Sequence, residues 1–469
     1  MTAEPAIAKT RLRGDIGRFQ YFALGFGTII GSAWVVLLGD WLRVAGPGGA
    51  ILGFLSGGAM MMVIGCCYTE LITQLPEAGT EFIYGYRVFG RLIGFAVGWF
   101  SILYLVGVTV YEALALPWAV ELLLPRLQGA TLYRAFGAPV TADALAIGIA
   151  VALVITFLNL RGVQTAVGFH FVLTFGVILV GLVILALMLT QGHATNTHPI
   201  WGTTNGKPWW LGAGGLFAFC AYTLNGFQAI PQMIEERSDK APLRLVCTIL
   251  VASIGAGTLF YCLVILSASF AAPWPVLASA PLATAAAAAH LPHGHVLSSI
   301  LLCVTAASLL KAWNGIFMMA VRLLVAMARV GLFPERLASV GDRSPWLAIM
   351  VIASLNILGM FLGRGAVEPV TDMCAMVLTL TYVMCCAAVL RLRRGPNGTP
   401  ANARISSRLV WGGMLGATVM TCVAFASPFW NNEERFPLAW RLVLAWSAVG
   451  LAFLAIRYRA LALPARSAN

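Results

Sequence analysis

Three observations predict an all-α membrane protein of about twelve transmembrane helices. Charged residues make up 10% of the 469 and hydrophobic ones 60%, with a mean hydropathy of +0.86. A soluble domain carries about 25% charged residues to solvate its surface, so most of this surface must meet a lipid bilayer. Long apolar stretches, 171–189, 245–266 and 347–362 among them, recur along the chain and approach the ~20 residues that cross a hydrocarbon layer. They run continuously instead of alternating, which fits helices with internally paired amides and excludes a barrel.

Spans are expected at roughly 19–43, 49–75, 92–123, 141–159, 167–190, 210–234, 245–270, 297–327, 346–362, 368–390, 409–427 and 438–457. With the N-terminus cytoplasmic, 21 Lys and Arg fall on the inside and 7 on the outside, while Lys311 and Arg322, within span 8, complete the 30. Positive charge marks the cytoplasmic side, so a multi-pass protein of the cell inner membrane with both termini in the cytoplasm is expected. The loop 271–296 has no Lys or Arg and faces out. The net charge of +12 therefore reflects topology, and nucleic acid is not an expected partner. No cleavage site follows Lys9, Arg11 and Arg13, so the first span is expected to stay. The ten cysteines include no CxxC pair and read as small buried hydrophobes.

Two spans are poor helices in comparable places. Span 1 carries Gly25, Gly27, Gly31 and Ser32 at its middle, and span 6 carries Thr223, Asn225, Gly226 and then Pro231. Such residues at mid-membrane invite unwinding where the backbone lines a cavity. The alternative for Gly27 and Gly31 is close helix packing. Five spans apart, the breaks predict two inverted five-helix repeats, each opening on a broken helix. These are 17–190 (spans 1–5) and 191–394 (spans 6–10). An N-terminal tail, 1–16, precedes them; spans 11–12 and a short tail, 395–469, follow.

The run Gly27-Thr-Ile-Ile-Gly-Ser-Ala33 resembles the unwound segment of the amino acid–polyamine–organocation (APC) permeases. Four further stretches agree in order: Ala45-Gly-Pro-Gly48; Tyr68-x-Glu70-Leu71 with Leu75-Pro-Glu-Ala-Gly79; Gly226-Phe-Gln-Ala-Ile-Pro-Gln-Met-Ile-Glu-Glu236; and Ala326-Met-Ala-Arg-x-Gly-Leu-Phe-Pro334. The resemblance implies a LeuT-like 5+5 inverted repeat with unwound spans 1 and 6, two peripheral helices, and a substrate site between spans 1, 3, 6 and 8. This chain departs from the family in carrying Ala33 where a glycine is usual.

The amides around Gly31, Ser32 and Ala33 are expected at the N-terminal end of the outer half-helix of span 1, where a carboxylate is favoured. Free carbonyls near Tyr222 and Asn225 suit an ammonium. A zwitterion satisfies both breaks, which points to an α-amino acid. Ile29, Gly226 and Ile316 complete the expected backbone and apolar lining. Tyr222 matches the position of a gating tryptophan in the family's arginine/agmatine exchangers; it either caps the substrate or packs as a core aromatic. Gln228 matches an acidic residue of those exchangers, so their acid sensing does not transfer.

Glu112 and Lys311 lie near the middle of spans 3 and 8, where ionisable groups are costly and usually functional. Thr109 shares a helical face with Glu112, and the motif alignment places both in the side-chain pocket. Lys311 belongs to a stripe with Ser308, Gly315, Met318 and Arg322. A self-neutralising Glu112–Lys311 pair is one reading; titration of either during transport is the other. Some proton-coupled relatives use a span 5 lysine, absent from 174–177 here, and Lys311 is a substitute from a neighbouring span. His170, the lone histidine of span 5, reads as a packed polar residue, with a proton relay as the alternative. The loop histidines 193, 198, 290, 293 and 295 read as exposed, with no metal expected. Glu235, Glu236, Arg237, Asp239 and Lys240 read as a solvated loop, with an inner-gate ion pair as the alternative.

No phosphate loop, dinucleotide fingerprint or zinc spacing occurs, and no cofactor or catalytic group is expected. The function expected is secondary active transport of amino acids by alternating access, as symport or exchange, with a proton (or Na+) as coupling ion. A polyamine or amine substrate is an alternative, because a pocket carboxylate can bind a second ammonium. A membrane sensor that binds its ligand without moving it is another.

Overall fold

The computed structural model describes residues 16–124, 129–239, 241–338, 344–394, 405–431 and 436–462. Lys9, Arg11, Arg13, Arg126, Lys240, Arg343, Arg404, Arg435 and Arg466 of the charge count lie outside these residues, as do the side chains of Arg457 and Arg459.

Span 1 begins as Arg18–Ile29. Its ladder ends where Ile30 N donates to Phe26 O at 2.9 Å and Gly31 N folds back onto Ile29 O at 2.9 Å. The helix restarts as Ala33–Val36, with Ser32 O accepting from the Val35 and Val36 amides. Leu38–Gln74 then runs on with one interruption at Gly46, φ +62°, followed by Pro47. Glycine alone enters that region without strain, and proline supplies no amide to continue the ladder, so the chain turns there from span 1 into span 2.

Next come a short helix, Thr80–Phe89, span 3 at Arg91–Leu123, span 4 at Ala142–Leu160 and span 5 at Val163–Gln191. Span 6 is Trp209–Thr223 and, after a gap, Ala229–Gln232. Span 7 (Leu243–Ala271) leads through two short helices, Trp274–Leu277 and Ala283–Ala289, to span 8 (Gly294–Arg329). Trp346–Met360, Val367–Arg393, Ser407–Asn431 and Leu438–Ala462 complete the order as spans 9 to 12.

Ten of the described helical segments are long and apolar enough to cross a membrane. The other two expected spans are shorter. Trp209–Thr223 and Trp346–Met360 have 15 residues each, about 22 Å at 1.5 Å per residue, so a full crossing needs the turns beyond them. The central window of span 1 is 83% buried and that of span 12 is 17% buried. Span 1 therefore threads the bundle and span 12 lies on its rim. Six cysteines are buried in the bundle, but Cys303 and Cys422 are exposed. A two-stranded hairpin, Thr131–Ala135 with Ala138–Thr141, interrupts the expected all-α pattern between spans 3 and 4. Its turn, Phe136-Gly137, has positive φ at both residues, the geometry that suits a two-residue hairpin loop.

Arg18, Arg87, Arg237, Arg244 and Arg329 mark one end of the bundle, here termed the basic face. Near it Glu70 and Arg393 form a buried ion pair (Nε–Oε1 2.7 Å), and Arg393 also donates to Ile405 O at 2.8 Å and Ser407 Oγ at 3.1 Å. One side chain thus joins span 2, span 10 and the start of span 11. Arg393→Leu would leave Glu70 buried with no cationic partner, the Gln74 amide at 3.5 Å remaining, so unfolding is expected to become easier by about 3–5 kcal/mol. Thermal unfolding in detergent checks this, with Glu70→Leu/Arg393→Leu recovering much of the loss. A single variant as stable as the parent would show the pair to be dispensable.

Candidate functional site

The two helix breaks face each other. Gly226, φ +114°, brings span 6 so close to span 1 that an added Cβ would lie 2.7 Å from Thr28 C and 2.8 Å from Ile29 N. Between the breaks is a cavity of about 20 Å³, room for about one water. Thr28, Ile29, Gly31, Ser32 and Ala33 line it from span 1, Tyr111 and Glu112 from span 3, and Tyr222 and Asn225 from span 6. Tyr261 of span 7 and Ile316 of span 8 close it.

Of the expected residues, Thr109 and Gly226 stand off the lining. Thr109 is buried three residues from Glu112, its hydroxyl turned to Val106 O of its own helix at 2.8 Å. Gly226 acts through the backbone approach just described. The Glu112 carboxylate reaches the start of the outer half-helix. Its Oε2 lies 3.2 Å from the Ser32 hydroxyl, and its Oε1 is 3.1 Å from where a Gly31 Cβ would sit. Ser32 Oγ is also 3.2 Å from Tyr111 OH, and the Tyr111 and Tyr222 rings meet edge-to-face at 6.1 Å.

Lys311 is fully buried; it attracts Glu112 through space, but its direct partners are others. Its ammonium donates to Gly27 O and Ile30 O, the carbonyls that the break in span 1 releases. Ser308, one turn away, donates to Gly31 O at 2.6 Å. Span 8 therefore supplies the donors that the interrupted ladder lacks. His170 ties the same region together, one ring nitrogen 2.9 Å from Lys311 O and the other 3.0 Å from Ala23 O.

Tyr261 escapes a reading by motif. Its hydroxyl lies 3.0 Å from Ile29 O and 3.2 Å from Thr223 O, bridging the two breaks. The available signal is a phenol in the middle of an apolar span. Two expectations about free backbone groups change: the Gly31 amide is taken by Ile29 O, and Tyr222 O accepts from the Asn225 side chain at 3.1 Å. Two side-chain acceptors on the lining, Asn225 Oδ1 and Thr28 Oγ1, are buried without a partner.

Ion pairs and aromatic packing lie on either side of the cavity. Towards the basic face, Arg322 bonds Glu236 at 2.9 Å, Arg329 bonds Glu235 at 3.1 Å, and Tyr21 OH donates to Met233 O at 2.8 Å. Glu236 is buried, against the solvated loop expected; burial pushes its carboxyl above the usual range and Arg322 pulls it back. Ile16 bridges Arg237 as an isolated parallel pair. At the other end, Trp34 is buried against Phe260, ring centroids 5.4 Å apart, and Thr284 of the helix Ala283–Ala289 donates to Trp34 O at 2.6 Å.

The branched-chain amino acid permease BcaP of Bacillus subtilis (strain 168) is 24% identical to the chain over 465 residues, 92% of this chain and 91% of that protein. The glutamate/serine transporter AimA of the same organism is 28% identical over 265 residues, 52% of this chain and 46% of that protein. The chloroplastic cationic amino acid transporter 9 of Arabidopsis thaliana is 27% identical over 329 residues, 68% and 56%. A family model described as amino acid permease matches residues 16–454. That range contains both helix breaks and every residue around the cavity, and the chain is a member of the amino acid permease family within the APC superfamily.

Proposed function

We propose that this permease moves α-amino acids across the inner membrane by alternating access of the two-break cavity, in cycles coupled to protons. The observation that carries the reading is the Glu112 carboxyl, seated against Gly31 and Ser32 at the start of the outer half-helix. That is where a helix terminus favours a substrate carboxylate. Two carboxylates cannot share one site in their charged forms without strong repulsion. Substrate entry therefore requires Glu112 to swing away or to carry a proton, and either event links binding to the carboxyl. The orphan acceptors Asn225 Oδ1 and Thr28 Oγ1 suit the substrate ammonium. Since a cavity of about 20 Å³ must widen to admit an amino acid, loading is coupled to movement of the broken half-helices. The inverted repeats 17–190 and 191–394 would supply that movement, with the basic face and both termini in the cytoplasm.

The coupling ion assigned is the proton in preference to Na+, because the Lys311 ammonium already lies on the carbonyls that a metal cation would need. A substrate with a second ammonium is the other reading, favoured by Glu112 itself and by the name of the cationic relative.

Uptake of labelled amino acids into proteoliposomes is expected to follow an imposed pH gradient and to ignore a Na+ gradient. Accumulation indifferent to pH would overturn the coupling. Glu112→Gln keeps the shape and removes the charge. It is expected to retain zwitterionic substrates and to bind those with an extra ammonium about tenfold more weakly, about 1.4 kcal/mol. An unchanged substrate profile would remove the amine reading.

A further inference from the structure

Away from the substrate cavity, and besides the ion-paired Glu70 and Glu236, the bundle holds a further buried carboxyl group. Glu81, 1% exposed, lies in the first turn of the helix Thr80–Phe89 near the basic face. Its Oε1 accepts a 2.6 Å hydrogen bond from Tyr68 of span 2, and Gln228 of span 6 also faces it. The other titratable groups around it are phenols and a thiol. Tyr84 comes from its own helix, Tyr104 from span 3, and Tyr382 and Cys385 from span 10. Among the described residues no lysine or arginine pairs with Glu81; Arg87 pairs with Glu77 and Arg393 with Glu70. A carboxylate held in a dry pocket by neutral donors alone is poorly stabilised in its charged form. Burial pushes Glu81 above the ordinary glutamate range, against the opposing pull of the Tyr68 hydrogen bond.

The place of this group matters as much as its chemistry. The turn that carries Glu81 forms the seam closing the basic face: Gly79 N donates to Gln232 Oε1 at 2.9 Å and Ala78 N to Glu235 Oε1 at 3.0 Å. Both acceptors belong to the segment after the break in span 6. Thr80 sits at φ +39°, a region that β-branched residues rarely enter, so docking imposes this turn against local preference. Gln228 continues the path to the hinge. Its Oε1 accepts from Gly226 N at 2.8 Å, and its Nε2 donates to Tyr382 OH at 3.0 Å. Tyr382 OH in turn donates to Ala221 O at 3.2 Å. One residue thus separates Glu81 from the hinge of span 6.

We propose that Glu81 is a second proton-binding site, which holds its proton while residues 78–81 are docked on span 6 and releases it when that seam opens. The carboxyl O–H bond breaks, the proton passes to water at the basic face, and the carboxylate is left in contact with solvent. This deepens the proposed transport reading and rests on it only for the direction of the cycle. The sign follows from linkage. The docked state binds the proton more tightly than the open one, so rising pH at the basic face favours the open seam.

The test uses the full chain purified in detergent, with infrared difference spectra between acid and alkaline buffer and hydrogen exchange of residues 78–84 across the same range. In the parent, a protonated-carboxyl C=O band is expected, together with exchange that rises as the pH rises, after correction for the intrinsic rate. Glu81→Gln should lose one component of that band and stay protected at every pH. Tyr68→Phe removes the phenol donor, keeps the carboxyl, and should move the midpoint of the transition to higher pH. It serves also if Glu81→Gln does not fold. An unchanged carboxyl band and pH dependence in Glu81→Gln, or an unmoved midpoint in Tyr68→Phe, would overturn the proposal. Neither readout needs transport. If the titration is present but a pH gradient drives no uptake, the transport reading falls and this site stands; the opposite pair of results removes this site alone.

Discussion

Lys311→Ala is expected to abolish accumulation driven by a pH gradient while leaving part of the substrate binding intact. The side chain is fully buried and its ammonium donates to Gly27 O and Ile30 O. Lipid cannot solvate a charge at that depth, so its protonation must depend on how the break in span 1 is arranged. In the proposed cycle, opening the site would separate spans 1 and 8, take the carbonyl acceptors away and let water in, and the proton would leave at that step. Alanine cannot carry a proton through the step. It also removes the donor to Gly27 O and one of two donors to Ile30 O, which keeps Ser308 Oγ at 3.1 Å; an unpartnered carbonyl costs about 1–3 kcal/mol, so a lower unfolding temperature should accompany the uncoupling. Lys311→Arg separates the two effects: guanidinium can still donate to the carbonyls but does not readily release its proton. Stability should largely return while uptake against the gradient does not. The measurement is uptake into liposomes at imposed pH gradients, with substrate binding followed in parallel. If Lys311→Ala still concentrates substrate in response to the gradient, the lysine serves only to bridge spans 1 and 8, and coupling lies elsewhere.

The two helix breaks could be read from the chain because they are a local property. Glycine and small polar residues at mid-span mark where a ladder can end, and Gly31, Ser32, Asn225 and Gly226 do lie at the two interruptions. What fills the freed backbone groups is not local. Periodicity places Lys311 on a face of span 8 but does not fix its partner. Glu112 and the carbonyls of span 1 are both within reach of such a stem, and packing assigns it to the carbonyls. Tyr261 and Tyr111 were hidden because a tyrosine in an apolar run is most often read as core, and it is packing that brings their hydroxyls to the site. Glu81 was hidden in another way. It lies in a short helix outside any span, where a charged residue is expected to meet water, and it is buried by docking of residues 78–81 on span 6 together with side chains of spans 2, 3 and 10. The ninth span and the hairpin show the limits of composition in the same manner. A 15-residue apolar helix is too short to be assigned as a crossing by length alone, and the hairpin depends on the backbone geometry of two residues, Phe136 and Gly137.

Gly31→Leu is expected to remove substrate binding and leave the fold in place. At this position a Cβ would meet Ala312 Cβ at an ordinary 3.5 Å and Glu112 Oε1 at 3.1 Å, so the Glu112 carboxyl must give way by a few tenths of an ångström. The remaining carbons of leucine would extend into a cavity of only about 20 Å³, where the widening that admits a substrate must begin. The backbone of Gly31 does not occupy the left-handed region, so the substitution adds bulk without forcing a strained turn. Gly226 is the contrasting case. Its φ of +114° and the 2.7 Å approach to Thr28 mean that even alanine disturbs the backbone, and loss of binding there would not separate site from fold. The readout for Gly31→Leu is ligand-dependent thermal stabilisation. A ligand at about a hundred times its Kd stabilises the parent by about 2.7 kcal/mol, and the variant should show almost none while unfolding near the temperature of the unliganded parent. Gly412→Ala, where an added Cβ meets nothing within 4 Å, should keep the full ligand-dependent rise. Wild-type stabilisation in Gly31→Leu would move the docking site away from the break in span 1, and with it the role given to the outer half-helix in holding a carboxylate.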